Sequence, residues 1–69
     1  MPTLRVELFD GRTPEQKARL AEELTQACVR VLGGSPVGVD ILFYDIPRHN
    51  WSTCGKLWSE HETPTQPSS

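Results

Sequence analysis

The chain has 69 residues, 36% of them apolar, with nine acidic and seven basic residues, six prolines, five glycines and two cysteines. A chain this short hides only about 60% of the surface its unfolded form exposes, so oligomerisation is the expected source of stability. Cys28 and Cys54 fit no CxxC or Cys/His ligand spacing, which excludes a disulfide-dense or zinc-held miniprotein. The interspersed charges, net -2, leave no basic stripe for nucleic acid. The longest apolar run, Ile41–Tyr44, is far below the roughly 20 residues that span a bilayer. Met1 to Glu7 carries charges where a signal peptide needs an apolar segment. The expectation is a cytoplasmic protein with free thiols and no membrane partner.

The chain reads as strand, helix, strand and tail. From Thr3 to Phe9 the residues alternate, with Leu4, Val6 and Leu8 on one face and Thr3, Arg5, Glu7 and Phe9 on the other, the pattern of a half-buried strand. Asp10-Gly11 is a turn dipeptide. Thr13-Pro14-Glu15-Gln16 then starts a helix, with Thr13 as N-cap, Pro14 at the first helical position and Gln16 closing a capping box. Leu20, Ala21, Leu24, Ala27, Cys28, Val31 and Leu32 form one apolar stripe, and Gly33-Gly34 ends a helix of about 28 Å. Val39 to Ile46 reads as a second strand whose near-continuous apolar run predicts burial on both faces, as in a parallel sheet.

A strand–helix–strand unit of this kind predicts a parallel crossover whose helix covers one side of a two-stranded ribbon. Another subunit then has to cover the other side and the edges. Arg48 to Gly55 reads as a polar loop around Trp51, Lys56-Leu57-Trp58 as a short edge strand or hairpin arm, and the segment from Glu60 as a tail without apolar content. The organisation is therefore an α/β (α+β) domain over residues 1–58 and a flexible tail over 59–69.

Pro2 stands out chemically. Removal of Met1 would expose a secondary amine, and burial beside apolar groups lowers an amine's pKa by penalising the cation. A base poised near neutrality is what proton abstraction beside a carbonyl requires. The bland reading, a common second residue, stands beside this one.

Met1-Pro2, the run Val6-Glu7-Leu8-Phe9-Asp10-Gly11-Arg12-Thr13-Pro14-Glu15-Gln16-Lys17, and Ile46-Pro47-Arg48-His49-Asn50-Trp51 followed by Gly55 together resemble the 4-oxalocrotonate tautomerase family, without gaps over residues 2 to 58. The resemblance implies a β-α-β chain in a homohexamer or a heterohexamer with a related chain. It also implies proton transfer by the amino-terminal proline, without metal or cofactor, on a small carboxylate substrate. Pro2 becomes the general base or acid, Arg12 the cation that grips the carboxylate, and Trp51 the aromatic wall of the pocket. A guanidinium suits the gripping role because it meets a carboxylate with two parallel hydrogen bonds.

The sequence departs from the family at Asp40, which takes the position of a second substrate-binding arginine. An anion there repels a second carboxylate and favours the protonated amine, moving Pro2 from base towards acid. The expected activity is therefore keto–enol tautomerisation of a small enol or 2-keto monocarboxylate. Asp40 pairing with Arg5 or Arg48 is an equal alternative, and Arg48 is a candidate replacement for the missing arginine. The loop Asn50 to Leu57 also resembles the second chain of heterohexameric trans-3-chloroacrylic acid dehalogenases, which opens the reading of a pocket-completing, non-catalytic subunit. A hydratase or dehalogenase is the weaker alternative. Ser52 and Thr53 stand where those enzymes have a water-activating glutamate, and Phe9 stands where they have a second arginine. His49 and His61 read as exposed, Cys28 as an inert core thiol, and Cys54 as a loop thiol.

Overall fold

The computed structural model of the chain describes residues 2–61. Helix α1 spans Pro14–Leu32 and starts as its sequence dictates: the Gln16 amide donates to Thr13 Oγ1 at 3.1 Å and the Thr13 amide to Gln16 Oε1 at 3.0 Å. This reciprocal box satisfies two backbone donors that the first turn leaves without partners. Gly33 stops the helix, at φ 84°, with its N–H on the Val29 carbonyl at 2.9 Å. A left-handed backbone of that kind costs glycine nothing and any other residue strain.

Strand β1 (Thr3–Phe9) and strand β2 (Asp40–Ile46) pair in parallel, from Thr3 opposite Asp40 to Phe9 opposite Ile46, with α1 as the crossover. Leu4, Val6, Leu8, Ile41 and Phe43 alternate with more exposed neighbours and form the helix-facing side of this two-stranded sheet. Asp45 falls on the same side and its carboxylate pairs with Lys17 of α1. Both side chains keep contact with water, so the pair orients helix against sheet and contributes under about 1 kcal/mol. Ala21, Leu24, Ala27 and Cys28 are half-buried, as the stripe predicts. Leu20, Val31 and Leu32 are exposed instead.

Three local readings change. Val39 precedes β2 because its amide closes a single 3-10 turn, Pro36–Gly38, by donating to the Pro36 carbonyl. The polar loop is more ordered than its composition suggests. A 3-10 turn at Arg48–Asn50 leads into an antiparallel hairpin of β3 (Ser52–Thr53) and β4 (Lys56–Leu57), and a further 3-10 turn takes Trp58–Glu60 out of the strand. The hairpin loop is Cys54-Gly55, both at positive φ (55° and 77°), which matches the twist of the flanking strands. Of the tail expected over 59–69, Ser59 and Glu60 belong to this last turn, and residues 62–69 lie outside the described residues.

The predicted burial of both faces of β2 is absent within one chain. Among the described residues no side chain is fully buried, and Leu42 and Tyr44, on the side away from α1, are 43% and 42% exposed. A single helix cannot cover two faces of a sheet.

Candidate functional site

The sequence-predicted site residues fall into two groups at opposite ends of β1. At its start, Pro2 is half-buried and lines a hollow of about 180 Å³ together with Cys28 of α1, Val39 and the glycines that end the helix. The first residue of β2 lies beside it: the Asp40 amide donates to the Pro2 carbonyl at 3.0 Å. Alternation along the paired strands puts the Asp40 side chain on the helix-free face with its register partner Thr3, while Pro2 lies on the helix side. Asp40 is exposed and forms no ion pair among the described residues, with Arg5 or with Arg48. The Arg5 guanidinium instead lies 5.6 Å from the centre of the Tyr44 ring.

At the other end of β1, Gly11 at φ 114° turns the chain from strand to helix and delivers Arg12 to a groove of about 330 Å³ with Val6, Leu8, Gln16, Lys17 and Leu20. Arg12 is half-buried and has no carboxylate partner among the described residues. Trp51 is also at this end, 4.6 Å from Phe9 between ring centres. The Arg48 guanidinium sits 4.4 Å from the centre of the Phe9 ring.

The seven residues of β1, about 23 Å at 3.3 Å per residue, run between the two groups. One chain therefore brings the backbone of Asp40 to Pro2, and Arg48 and Trp51 to Phe9, but does not bring Arg12, Arg48 or Trp51 to Pro2.

Sequence reasoning missed the residues that hold Trp51 in place. Trp58 meets Phe9 edge-on at 5.7 Å, donates from its indole Nε1 to Thr53 Oγ1 at 2.9 Å, and stacks on His61 at 4.3 Å. The Trp58 amide donates to the Trp51 carbonyl at 2.9 Å, which closes the aromatic cluster through the backbone. His61 is half-buried rather than exposed, and its covered Nε2 has no hydrogen-bond partner among the described residues. Phe9 was visible as the one large aromatic on the polar face of its strand. Nothing local marked Trp58 or His61, because their contacts depend on the hairpin turning back. Cys54 is exposed at the hairpin tip and Cys28 half-buried, both as free thiols. Among the described residues no group of three or more His, Cys, Asp or Glu is placed to hold a metal, and no helix is long and apolar enough to cross a membrane.

A sequence model of the tautomerase enzyme family matches residues 2–60. The chain is 40% identical over 57 residues to a probable tautomerase of Streptococcus pneumoniae, covering 83% of this chain and 95% of the relative. It is 33% identical over 55 residues to the 2-hydroxymuconate tautomerase of Comamonas testosteroni, covering 80% and 87%. Among solved structures it superimposes, with a TM-score of 0.81 and 30% identity over 87% of this chain and 97% of the other, on a heterohexameric 4-oxalocrotonate tautomerase of Chloroflexus aurantiacus.

Proposed function

The chain belongs to the tautomerase family and is an isomerase of that class, and on that premise we propose that it interconverts enol and keto forms of a small carboxylate with the Pro2 amine as general base and acid. The observation that supports this most is the placement of Pro2: it heads β1, half-buried against the end of α1, in a hollow that admits only a small group. Once Met1 is removed, its nitrogen is a secondary amine. As a base the amine takes a proton from the enol hydroxyl, and as an acid it returns one to carbon, so that a single group completes the transfer. Arg12 holds the carboxylate, and Trp51, braced by Phe9, walls the pocket from water.

This reading needs more than one chain, because Pro2 and Arg12 line separate hollows in each. β1 has one open edge. Antiparallel pairing of two such edges centred on Val6 sets Pro2 of one copy opposite Asp10 of the second, within reach of that copy's Arg12. The same pairing removes an exposed strand edge. A homohexamer or a heterohexamer with a related chain supplies such contacts, and a small-molecule carboxylate is the substrate.

Intact-mass measurement is expected to show Met1 absent, and ketonisation of phenylenolpyruvate is expected to fall about 10²–10⁴-fold in Pro2→Ala, the usual weight of a general acid–base. Retention of Met1, or equal rates in the two proteins, refutes the mechanism. The heterohexameric relative and the acidic Asp40 beside Pro2 favour a second reading, a subunit that completes a partner's pocket. A purified chain that forms an active homo-oligomer alone decides against it.

A further inference from the structure

We propose that the side-chain amide of Gln16 is a second donor to the substrate carboxylate, working beside Arg12 in the groove between α1 and β1, and that the pair selects carboxylates over their neutral amides. The inference rests on the tautomerase reading above and adds a binding residue to that same site.

The groove is lined by Val6 and Leu8 of β1, by Leu20 of α1, and by the polar residues Arg12, Gln16 and Lys17. The Lys17 ammonium is taken up by the Asp45 carboxylate. The Gln16 oxygen accepts from the Thr13 amide at 3.0 Å, and this bond fixes which end of the side-chain amide faces the backbone. The Gln16 nitrogen, a donor of two N–H bonds, has no acceptor among the described residues, and the Arg12 guanidinium has no carboxylate partner there.

What remains is a donor-only corner at one end of an apolar trough. A carboxylate fits it, because both of its oxygens accept, with its hydrocarbon part against Val6, Leu8 and Leu20. A neutral amide in the same place sets its own N–H donors against these. Arg12 supplies the charge, and Gln16 supplies a donor whose orientation is restricted before binding, so that less side-chain entropy is lost.

The residue type points the same way. The capping box needs only an acceptor at position 16, and a glutamate serves it equally while adding an anion at the positive end of the helix. A glutamate, however, donates nothing to a carboxylate and attracts the Arg12 guanidinium to itself. The groove also opens on the side of the sheet where Pro2 lies, since Val6 and Leu8 share the helix-facing side with it. Antiparallel pairing of two β1 edges therefore brings the groove of one copy towards the Pro2 hollow of the second.

The test is a ligand-observed NMR titration of the assembled oligomer with 3-phenylpropanoate and with 3-phenylpropanamide, which differ only in the terminal group. Wild type, Gln16→Met, Gln16→Glu and Thr13→Ala are compared, with the urea midpoint of each as a measure of the fold. Wild type is expected to prefer the acid. Gln16→Met, similar in size and without donors, is expected to lose roughly ten- to hundredfold of the affinity for the acid, as for a hydrogen bond to a charged group, and little for the amide. Gln16→Glu is expected to lose at least as much while its urea midpoint stays at or above that of wild type, because the capping acceptor remains. Thr13→Ala breaks the same box but leaves the Gln16 donors, so it is expected to lower the midpoint and keep the affinity. The proposal is overturned by a wild type without preference for the acid, by a Gln16→Met variant that binds the acid as wild type does, by equal losses for acid and amide, or by a loss in Thr13→Ala equal to that in Gln16→Met. The titration needs no turnover, so a protein that shows the preference and its loss in Gln16→Met but fails to ketonise phenylenolpyruvate fails the function proposed above and supports this one.

Discussion

Replacing Leu42 with alanine tests whether the helix-free face of the sheet is held by another copy of the chain. Leu42 lies mid-strand on that face, opposite Arg5, and is 43% exposed in a chain with no fully buried side chain among its described residues. Complete burial of a leucine is worth about 1.5–3 kcal/mol, so covering the remaining two-fifths contributes about 1 kcal/mol per chain. A two-fold contact counts it twice, and about 2 kcal/mol corresponds to roughly a 30-fold change in the dissociation constant of the pair. Sedimentation velocity over a dilution series, run beside far-ultraviolet circular dichroism, measures both assembly and helix content. The wild type is expected to lose helix as it dissociates, because the separated chain retains too little burial to offset its conformational entropy. Leu42→Ala is expected to do so at about 30-fold higher protein concentration. An unchanged dissociation midpoint refutes the role of this face, and a separated chain that keeps its full helix signal refutes the claim that the fold depends on assembly.

Two further outcomes are expected. Asp40→Asn is expected to leave the acidic limb of the pH–rate profile for ketonisation in place, because the Asp40 side chain projects from the face of the sheet away from Pro2 and meets it only through the backbone. A limb moved to lower pH means that the carboxylate does favour the protonated amine. Thr13→Ala deletes the hydroxyl that accepts from the Gln16 amide and is expected to cost about 1 kcal/mol of stability per chain, read as an earlier urea midpoint at fixed protein concentration. No change there means that the capping box is redundant in the assembled protein.

The sequence by itself determined the elements that rest on local physics. β1 was legible from the alternation of Leu4, Val6 and Leu8 because side chains in a strand point to opposite faces in turn. Both ends of α1 were legible because Thr13, Pro14, Gln16 and Gly33 each act within one turn of the backbone. The parallel pairing followed from a single helix joining two strands, and the family from the run around Arg12 and the Pro2 position. The hairpin was less legible, since Cys54-Gly55 provides the positive backbone angles of a tight turn without the usual Asn-Gly or Asp-Gly signal.

Only the tertiary structure decided how the candidate residues are grouped. Pro2 with Asp40, and Phe9 with Arg48, Trp51 and Trp58, are contacts between segments distant in sequence, and no local propensity encodes them. The separation of Pro2 from Arg12 has the same origin. An extended strand is the stiffest and longest path between two residues, so a sequence that places a proline at one end of β1 and an arginine just past the other fixes them far apart in the same chain. Sequence identified the groups that carry the chemistry, and the fold showed that a single copy does not bring them together.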